Sequence, residues 1–176
     1  MNIRTIITVF VLALFLGCGK KPNESNTPEP SEIVQNKKTI TAKTIESFKY
    51  NDYIFSNDAE KVVREWSKYQ ELLTQISFLK KADVTFFTTE KDTLKNFLDS
   101  LKLNIPQTIN TNSINARISV LETKLLKLND DLLLENYNVD YKLQSIKELL
   151  IANSNLIYVI NKKLEFDSND VARPEE

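Results

Sequence analysis

Residues 114–132 read INARISVLETKLLKLNDDL, and their apolar side chains return at alternating steps of four and three. This alternation places the apolar side chains along one narrow face of an α-helix, as in a coiled coil. We therefore predict a long helix that begins after a cap among residues 110–113 and ends before Asn136. The residues of its apolar seam are Ile114, Ile118, Leu121, Leu125, Leu128 and Leu132.

A second apolar seam with the same alternation runs from Val139 to Leu164 and predicts another long helix. Between residues 149 and 160 further apolar side chains lie off this seam, so we expect the helix to contact more than one neighbour. The residues of the seam are Val139, Leu143, Ile146, Leu150, Asn153, Ile157, Ile160 and Leu164.

Asn153 is a polar residue in this otherwise apolar seam. We expect its amide to be buried and hydrogen-bonded, because an unpaired buried polar group costs about 1–3 kcal/mol. One interpretation is that Asn153 fixes the register of helix packing, in which case Asn153→Leu would hold or raise the thermal stability. The alternative is that Asn153 lines a small polar pocket with Ser154 or Asn155.

Two helices are predicted to precede these. Asn57-Asp58-Ala59-Glu60 is typical of a helix start, and the following stripe predicts one continuous helix over residues 58–81. Trp66 and Tyr69 lie on that stripe, which favours a place in the core over stacking on a sugar or a partner. A shorter helix after residue 89 must end before Pro106; its apolar residues are Leu94, Phe97, Leu98 and Leu101.

These patterns together predict the fold class. We expect an all-α protein with an antiparallel bundle of three long helices plus one short helix, with coiled-coil-like seams, over residues 57–166. Residues 40–56 are expected to form a strap or a short helix on the bundle. Residues 167–176 are expected to be a disordered tail.

The amino end carries an export-signal pattern. Arg4 precedes an apolar run over residues 6–16, and Gly17 and Cys18 follow it. This run is shorter than the roughly 20 residues that a membrane-spanning helix needs. Residues 1–17 are thus interpreted as a signal peptide, and residues 18–39, polar and with three prolines, as a disordered tether.

Phe15-Leu16-Gly17-Cys18 resembles the signal of bacterial lipoproteins, with Phe15 where Leu is usual and Leu16 where a small residue is usual. The resemblance implies a diacylglycerol on the thiol of Cys18, cleavage in front of that residue and acylation of the new amine, for example with palmitate. The alternative is an ordinary secretory signal with an incidental cysteine. Cys18 is the chain's one cysteine, which favours lipidation.

The same resemblance implies a location. In Gram-negative cells an Asp after the lipidated Cys retains a lipoprotein in the inner membrane, so Gly19 implies the outer membrane, and Lys20-Lys21 favours the periplasmic leaflet over the cell surface. The helical body resembles small helical envelope lipoproteins such as those of Bacteroidota. This second resemblance concerns architecture and brings no functional residue with it.

Composition argues against most catalytic and cofactor-binding classes. The chain has no histidine, so Ser-His-Asp and Cys-His arrangements and histidine-based zinc or haem sites are excluded. Its two glycines, Gly17 and Gly19, cannot form a glycine-rich phosphate loop. The net charge of −1 and the lack of a basic stripe argue against nucleic-acid binding. We expect no cofactor and no enzymatic activity.

The acidic residues that could carry chemistry form two groups. Asp130-Asp131 and residues 167–170 lack the glycine of a calcium loop and are interpreted as solvated charge, so no metal is expected. By spacing alone, another four carboxylates include possible acid/base pairs, but they are more typical of a solvated helix face; they are Glu46, Asp52, Glu65 and Glu71.

The expected function is that of a lipid-anchored, non-enzymatic scaffold or protein-interaction module of the cell envelope. It would be held on the membrane by the lipid on Cys18 and bind a protein partner through a helical face. The alternative is a binding protein for a small apolar ligand or for peptidoglycan. The first predicts an exposed apolar patch along the helices, and the second an enclosed pocket among them.

Overall fold

The computed structural model describes residues 39–169, and every structural statement below concerns that part of the chain. Cys18 and the signal peptide lie outside it, as do nearly all of the predicted tether and most of the predicted tail. The described residues form α-helices and two short 3₁₀ helices without a strand, which confirms the all-α prediction. The α-helices are α1 (Ala42–Glu46), α2 (Asn57–Arg64), α3 (Ser67–Lys80), α4 (Lys91–Leu103), α5 (Asn112–Leu133) and α6 (Val139–Ser168).

Helices α5 and α6 pack antiparallel. Lys124 Nζ lies 3.0 Å from Glu148 Oε2, and Lys142 Nζ donates to the carbonyl of Leu132 at 3.2 Å, so residue numbers rise along one helix as they fall along the other. The residues of the two predicted seams are buried except three that are partly buried, namely Leu132, Val139 and Leu164. Helix α6 also contacts α1, α2 and the 3₁₀ helix Gln107–Ile109, which agrees with a helix that has apolar residues on more than one side.

The single helix predicted over residues 58–81 is wrong, because the chain turns between α2 and α3 at Glu65 and Trp66. Trp66 is fully buried, and its indole Nε1 donates to the carbonyl of Leu101 at 2.9 Å. The break is stabilised locally, since the carbonyl of Val63 accepts from the N–H of Trp66 at 3.0 Å and from Gln70 Nε2 at 3.1 Å. A contact with α4, remote in sequence, therefore outweighs the helical pattern.

The start of α2 also differs by one residue from the prediction. Ser56, not Asn57, is the N-cap, and its hydroxyl accepts from the backbone N–H of Ala59 at 3.2 Å. Helix α4 ends at Leu103, before Pro106, as predicted. Its four predicted apolar residues are buried, and it runs antiparallel to α5, with ion pairs Lys91–Asp130 and Lys102–Glu122 along the contact.

Helix α3 ends in a Schellman motif, a C-terminal cap with two characteristic backbone hydrogen bonds. The N–H of Asp83 donates to the carbonyl of Phe78 at 3.0 Å, and the N–H of Ala82 donates to that of Leu79 at 2.8 Å. Ala82 takes φ 69°, the left-handed conformation that glycine usually supplies at this position.

Candidate functional site

An extended segment over residues 49–56, here called the strap, connects α1 to α2 and lies along α6. Ser154 Oγ accepts from the N–H of Tyr53 at 2.8 Å and donates to the carbonyl of Asn51. Asn161 repeats the arrangement one step further along. Its Oδ1 accepts from the N–H of Ser56 at 3.0 Å, and its Nδ2 donates to the carbonyl of Ile54 at 2.8 Å.

The spacing of Ser154 and Asn161 explains this arrangement. Two residues seven apart on an α-helix lie on the same face about 10 Å from each other. The strap runs parallel to α6, so its successive polar backbone groups meet first Ser154 and then Asn161. Each side chain satisfies a carbonyl and an N–H two residues apart, which a strap without a neighbouring strand must otherwise leave to water.

Asn153 precedes Ser154 and is turned toward α3. It is 6% exposed, and its Oδ1 accepts from the hydroxyl of Tyr69 at 3.0 Å, so the prediction of a buried, hydrogen-bonded amide is confirmed. Burial raises the pKa of Tyr69, which therefore stays a neutral donor. No described residue accepts a hydrogen bond from Asn153 Nδ2. The oxygen of the Asn153 amide is thus hydrogen-bonded within the core, whereas its nitrogen has no partner among the described residues.

Two surface clefts meet where the strap crosses the end of α3. Their common wall is the ion pair between Asp52 Oδ2 and Lys80 Nζ, at 2.6 Å. The first, the α1 cleft, has a volume of about 440 Å³ and is lined by Ala42, Ile45, Glu46, Phe48, Tyr50, Asp52, Lys80 and Leu150. The second, the Asn153 cleft, has about 260 Å³ and is lined by Asp52, Tyr53, Ile54, Phe55, Leu73, Ile76, Ser77, Lys80, Asn153 and Ile157.

Lys80 and Tyr50, which line the α1 cleft, keep their ordinary charge states. Burial lowers the pKa of Lys80, but its hydrogen bond and charge interaction with Asp52 outweigh this and leave the pKa raised. The pKa of Tyr50 is also raised, chiefly by burial. At neutral pH Lys80 is therefore an ammonium and Tyr50 a neutral phenol, and neither of these two groups can act as a general base.

The rim of the Asn153 cleft is apolar and exposed. Ile54 is 84% exposed, and beside it the rings of Tyr53 and Tyr158 lie 4.8 Å apart between centroids. Phe55 faces inward from the strap, with its ring edge-on to Tyr69 at 6.2 Å. The strap therefore places one apolar side chain against the core and a neighbouring one in solvent.

A third cleft of about 430 Å³ lies between α3 and α4. Lys68 lines it, pairs with Glu71 at 2.8 Å and stands 5.2 Å from the centre of the Phe97 ring. Its charged groups thus already have partners within the bundle.

A polar cluster between α5 and α6 has the residue types of a Ser-Lys catalytic pair. Lys127 Nζ lies 2.8 Å from Asp131 Oδ2, and both contact the hydroxyl of Ser145. The hydrogen bond that Lys127 donates to Asp131 raises the pKa of Lys127, so the amine stays protonated and cannot act as a base. Ser145 is 1% exposed and out of reach of a substrate. We assign this cluster to helix packing.

This cluster corrects one sequence interpretation. The interpretation of Asp131 as solvated charge is wrong: it is 7% exposed, because it faces Ser145 of α6 and pairs with Lys127 of its own helix. Asp130 is exposed, as expected, and pairs with Lys91. Asp167 pairs with Lys163 on the exposed end of α6. Among the described residues no three His, Cys, Asp or Glu side chains form a group that could hold a metal.

The other predicted candidates are distributed over the domain. Trp66 and Tyr69 are fully buried, and their rings contact each other at a tilt of 40° with centroids 4.6 Å apart, which confirms them as core residues. Glu46 and Asp52 line the α1 cleft, whereas Glu71 lines the third cleft and Glu65 is the C-cap of α2. The structure thus does not bring the four carboxylates to one place.

Sequence reasoning missed Ser154 and Asn161 as the residues that hold the strap. The sequence suggests Ser154 only as a neighbour of Asn153 in a small polar pocket. A possible signal was their spacing, since two hydrogen-bonding side chains seven apart beside an apolar seam mark a polar row along one helix face. The target of that row, the backbone of residues 51–56, carries no sequence signal of its own.

No protein-family model, curated protein or solved structure matches this chain. Among residues 39–169, none of the helices has the length and apolarity needed to cross a membrane.

Proposed function

We propose that this chain is a lipid-anchored cell-envelope protein whose helical domain acts as a non-enzymatic protein-interaction module. The anchor is the lipid on Cys18, and the location is the outer membrane facing the periplasm. The interaction surface is the strap with the two clefts beside it.

The observation that carries the proposal is the exposure of apolar side chains on and beside the strap. Ile54 is 84% exposed and Tyr158 40% exposed, next to the Asn153 cleft. Exposed apolar groups that adjoin a cleft are a common feature of protein-binding surfaces. Both clefts open on the surface instead of lying enclosed among the helices, which favours a protein partner over an enclosed apolar ligand.

Site-specific crosslinking in intact cells tests the interaction surface. A photoreactive p-benzoylphenylalanine at position 54 should crosslink to a partner protein. Val120, which is 42% exposed on α5, provides the matched apolar control position and should give no such product. Equal crosslinking from both positions, or none from position 54, would contradict the proposed surface.

Metabolic labelling tests the anchor. Cells that express the chain and receive a palmitate analogue should label the wild-type protein, and Cys18→Ala should lose the label and leave the membrane fraction. Equal label in both proteins would exclude Cys18 as the lipidation site. An unlabelled wild-type protein would favour the ordinary secretory signal.

A further inference from the structure

We propose that the Asn153 cleft binds an extended peptide segment, with one apolar side chain in the cleft and a backbone carbonyl hydrogen-bonded to Asn153 Nδ2. The inference rests on the proposed function and specifies the partner at the same surface. Its occupant is a segment of a partner protein with a leucine-like residue and no required charge.

The first argument is the unused half of the Asn153 amide. Asn153 is 6% exposed and lines the cleft. Its Oδ1 already accepts a hydrogen bond from Tyr69. No described residue accepts from Nδ2, so this donor remains available on the cleft side. Nδ2 itself is not fully buried, so a carbonyl brought by a ligand into the cleft can take the place of water on this donor.

The second argument is the chemistry of the walls. Ile54, Phe55, Leu73, Ile76 and Ile157 form an apolar lining around that donor. Asp52 and Lys80 at the end of the cleft neutralise each other at 2.6 Å, so the cleft offers no net charge to a ligand. A ligand that fits this lining has an apolar group for the walls and a carbonyl for the amide of Asn153. Each apolar residue of an extended peptide has both groups.

The third argument is size. A volume of about 260 Å³ lies below the roughly 300–1,000 Å³ typical of pockets for drug-sized molecules. The cleft is suited to one side chain and its adjoining peptide group. Affinity would then come from the neighbouring exposed residues of the strap as well as from the cleft.

The fourth argument is that α6 already binds an extended backbone in this way. Ser154 and Asn161 hold the strap through its carbonyls and N–H groups. Asn153 offers the same kind of amide donor one residue earlier on the same helix. A second extended segment between the strap and α3 would offer a carbonyl to Asn153 Nδ2, as the carbonyl of Ile54 accepts from Asn161 Nδ2.

Photolabelling of the full chain in membrane vesicles tests the proposal. The probe is N-acetyl-photoleucine methylamide, which has a leucine-like diazirine side chain flanked by two amides. We expect adducts on the cleft residues Leu73, Ile76 and Ile157, mapped by mass spectrometry. Excess N-acetylleucine methylamide should compete, and N-acetylglycine methylamide should compete about tenfold less or worse, because it lacks the apolar side chain.

Matched variants locate the binding within the cleft. Ser77→Trp should fill it from its rim and remove the labelling, whereas Thr74→Trp should leave the labelling unchanged. Both positions are exposed on α3, and each hydroxyl donates to a carbonyl of its own helix, so the two variants lose similar contacts. Asn153→Asp keeps an acceptor for Tyr69 but removes the donor, and labelling should fall several-fold.

Three results would overturn the proposal. One is labelling that Asn153→Asp leaves unchanged. Another concerns 4,4-azipentan-1-ol, an alkyl diazirine without an amide. If it labels the same residues and N-acetylleucine methylamide does not reduce that labelling, the cleft accepts any apolar molecule. The third is an absence of adducts in the cleft. If the third result appears while position 54 still crosslinks to a partner, the peptide cleft is wrong and the interaction surface stands.

Discussion

At the scale of single residues, Asn153 connects the core to the candidate site. Its contact with the fully buried Tyr69 hydroxyl explains why a polar residue is tolerated in the apolar seam. The pair gives the amide a structural role, and the free Nδ2 gives it a capacity for binding. A role in packing and a role in a pocket, which the sequence presents as alternatives, are therefore compatible.

Replacement of Asn153 by leucine should destabilise the domain. The change leaves the Tyr69 hydroxyl buried without a partner, at a cost of about 1–3 kcal/mol. This reverses the sequence-based expectation that Asn153→Leu would hold or raise stability. The double variant Tyr69→Phe/Asn153→Leu should recover most of the loss, because both polar partners are then absent. Urea unfolding of the two single variants and the double variant measures this; equal losses in Asn153→Leu and the double variant would contradict the role of the pair.

Substitution of Ala82 by glycine should stabilise the protein. Ala82 caps α3 with φ 69°, and a non-glycine residue in the left-handed region costs roughly 1–2 kcal/mol. Part of this gain is offset by the greater flexibility of glycine in the unfolded chain, so we expect a net gain of about 0.5–1 kcal/mol. Thermal melts compare Ala82→Gly with Ala116→Gly inside α5, which should lose about 1 kcal/mol. A loss in both variants would exclude strain at Ala82.

At the scale of elements, the strap depends on two side chains of α6. Ser154→Ala should accelerate hydrogen exchange at the N–H of Tyr53, and Asn161→Ala should do so at the N–H of Ser56. Each variant should also lose about 1 kcal/mol or more of stability, because two hydrogen bonds are removed. Amide exchange followed by NMR resolves the two positions. Ser119→Ala is the control, since its hydroxyl donates only within α5, to the carbonyl of Asn115. If hydrogen exchange accelerated equally at both amides in all three variants, Ser154 and Asn161 would not hold the strap locally.

The elements differ in how far the sequence predicts them. The seams of α4, α5 and α6 follow from the spacing of apolar residues, because burial of one helix face dominates there. The break at Trp66 does not, since it depends on the carbonyl of Leu101 in another helix. The contacts between α6 and the strap cannot be predicted for the same reason. Ser154 and Asn161 bind backbone groups about 100 residues earlier in the chain, and the periodicity of apolar residues carries no information on such contacts.

At the scale of the whole molecule, the described residues bury one apolar core. A chain that begins at Thr39 and ends at Asn169 should fold without lipid and melt cooperatively, because it retains every residue of that core. Circular dichroism should show a strongly helical spectrum with a single thermal transition. The intact protein is the comparison, and a broad melt in the shorter chain alone would show that residues outside the domain are needed.

Acid should destabilise the domain in part through Asp131. Burial raises the pKa of this carboxyl, but hydrogen bonds from Lys127 and Ser145 outweigh burial and leave the pKa lowered. A lowered pKa in the folded state stabilises the protein above the unfolded pKa of about 3.9, and this stabilisation is lost as pH falls through the folded value. Asp131→Asn should therefore narrow the difference in unfolding free energy between pH 7 and pH 3.

The exposed neighbour Asp130 supplies the control for that experiment. Asp130→Asn removes an exposed ion pair with Lys91, a contact worth about 0–1 kcal/mol, and should keep the wild-type difference between the two pH values. Glu148, whose pKa is also lowered by its hydrogen bonds although burial opposes them, remains in both variants and accounts for acid sensitivity that persists. If Asp131→Asn and Asp130→Asn gave the same pH profile, Asp131 would not be a determinant of acid stability.

The order of the strap contacts along the chain determines how the domain would respond to a mechanical load. A force on the chain at Thr39 would reach α1 first, then the two bonds of Ser154, and last the two bonds of Asn161. Contacts that bear the force one after another break at a lower force than contacts that must all break at the same time. Residues 39–56 would thus detach and extend to roughly 60 Å before the force reaches the helices from Asn57 onward.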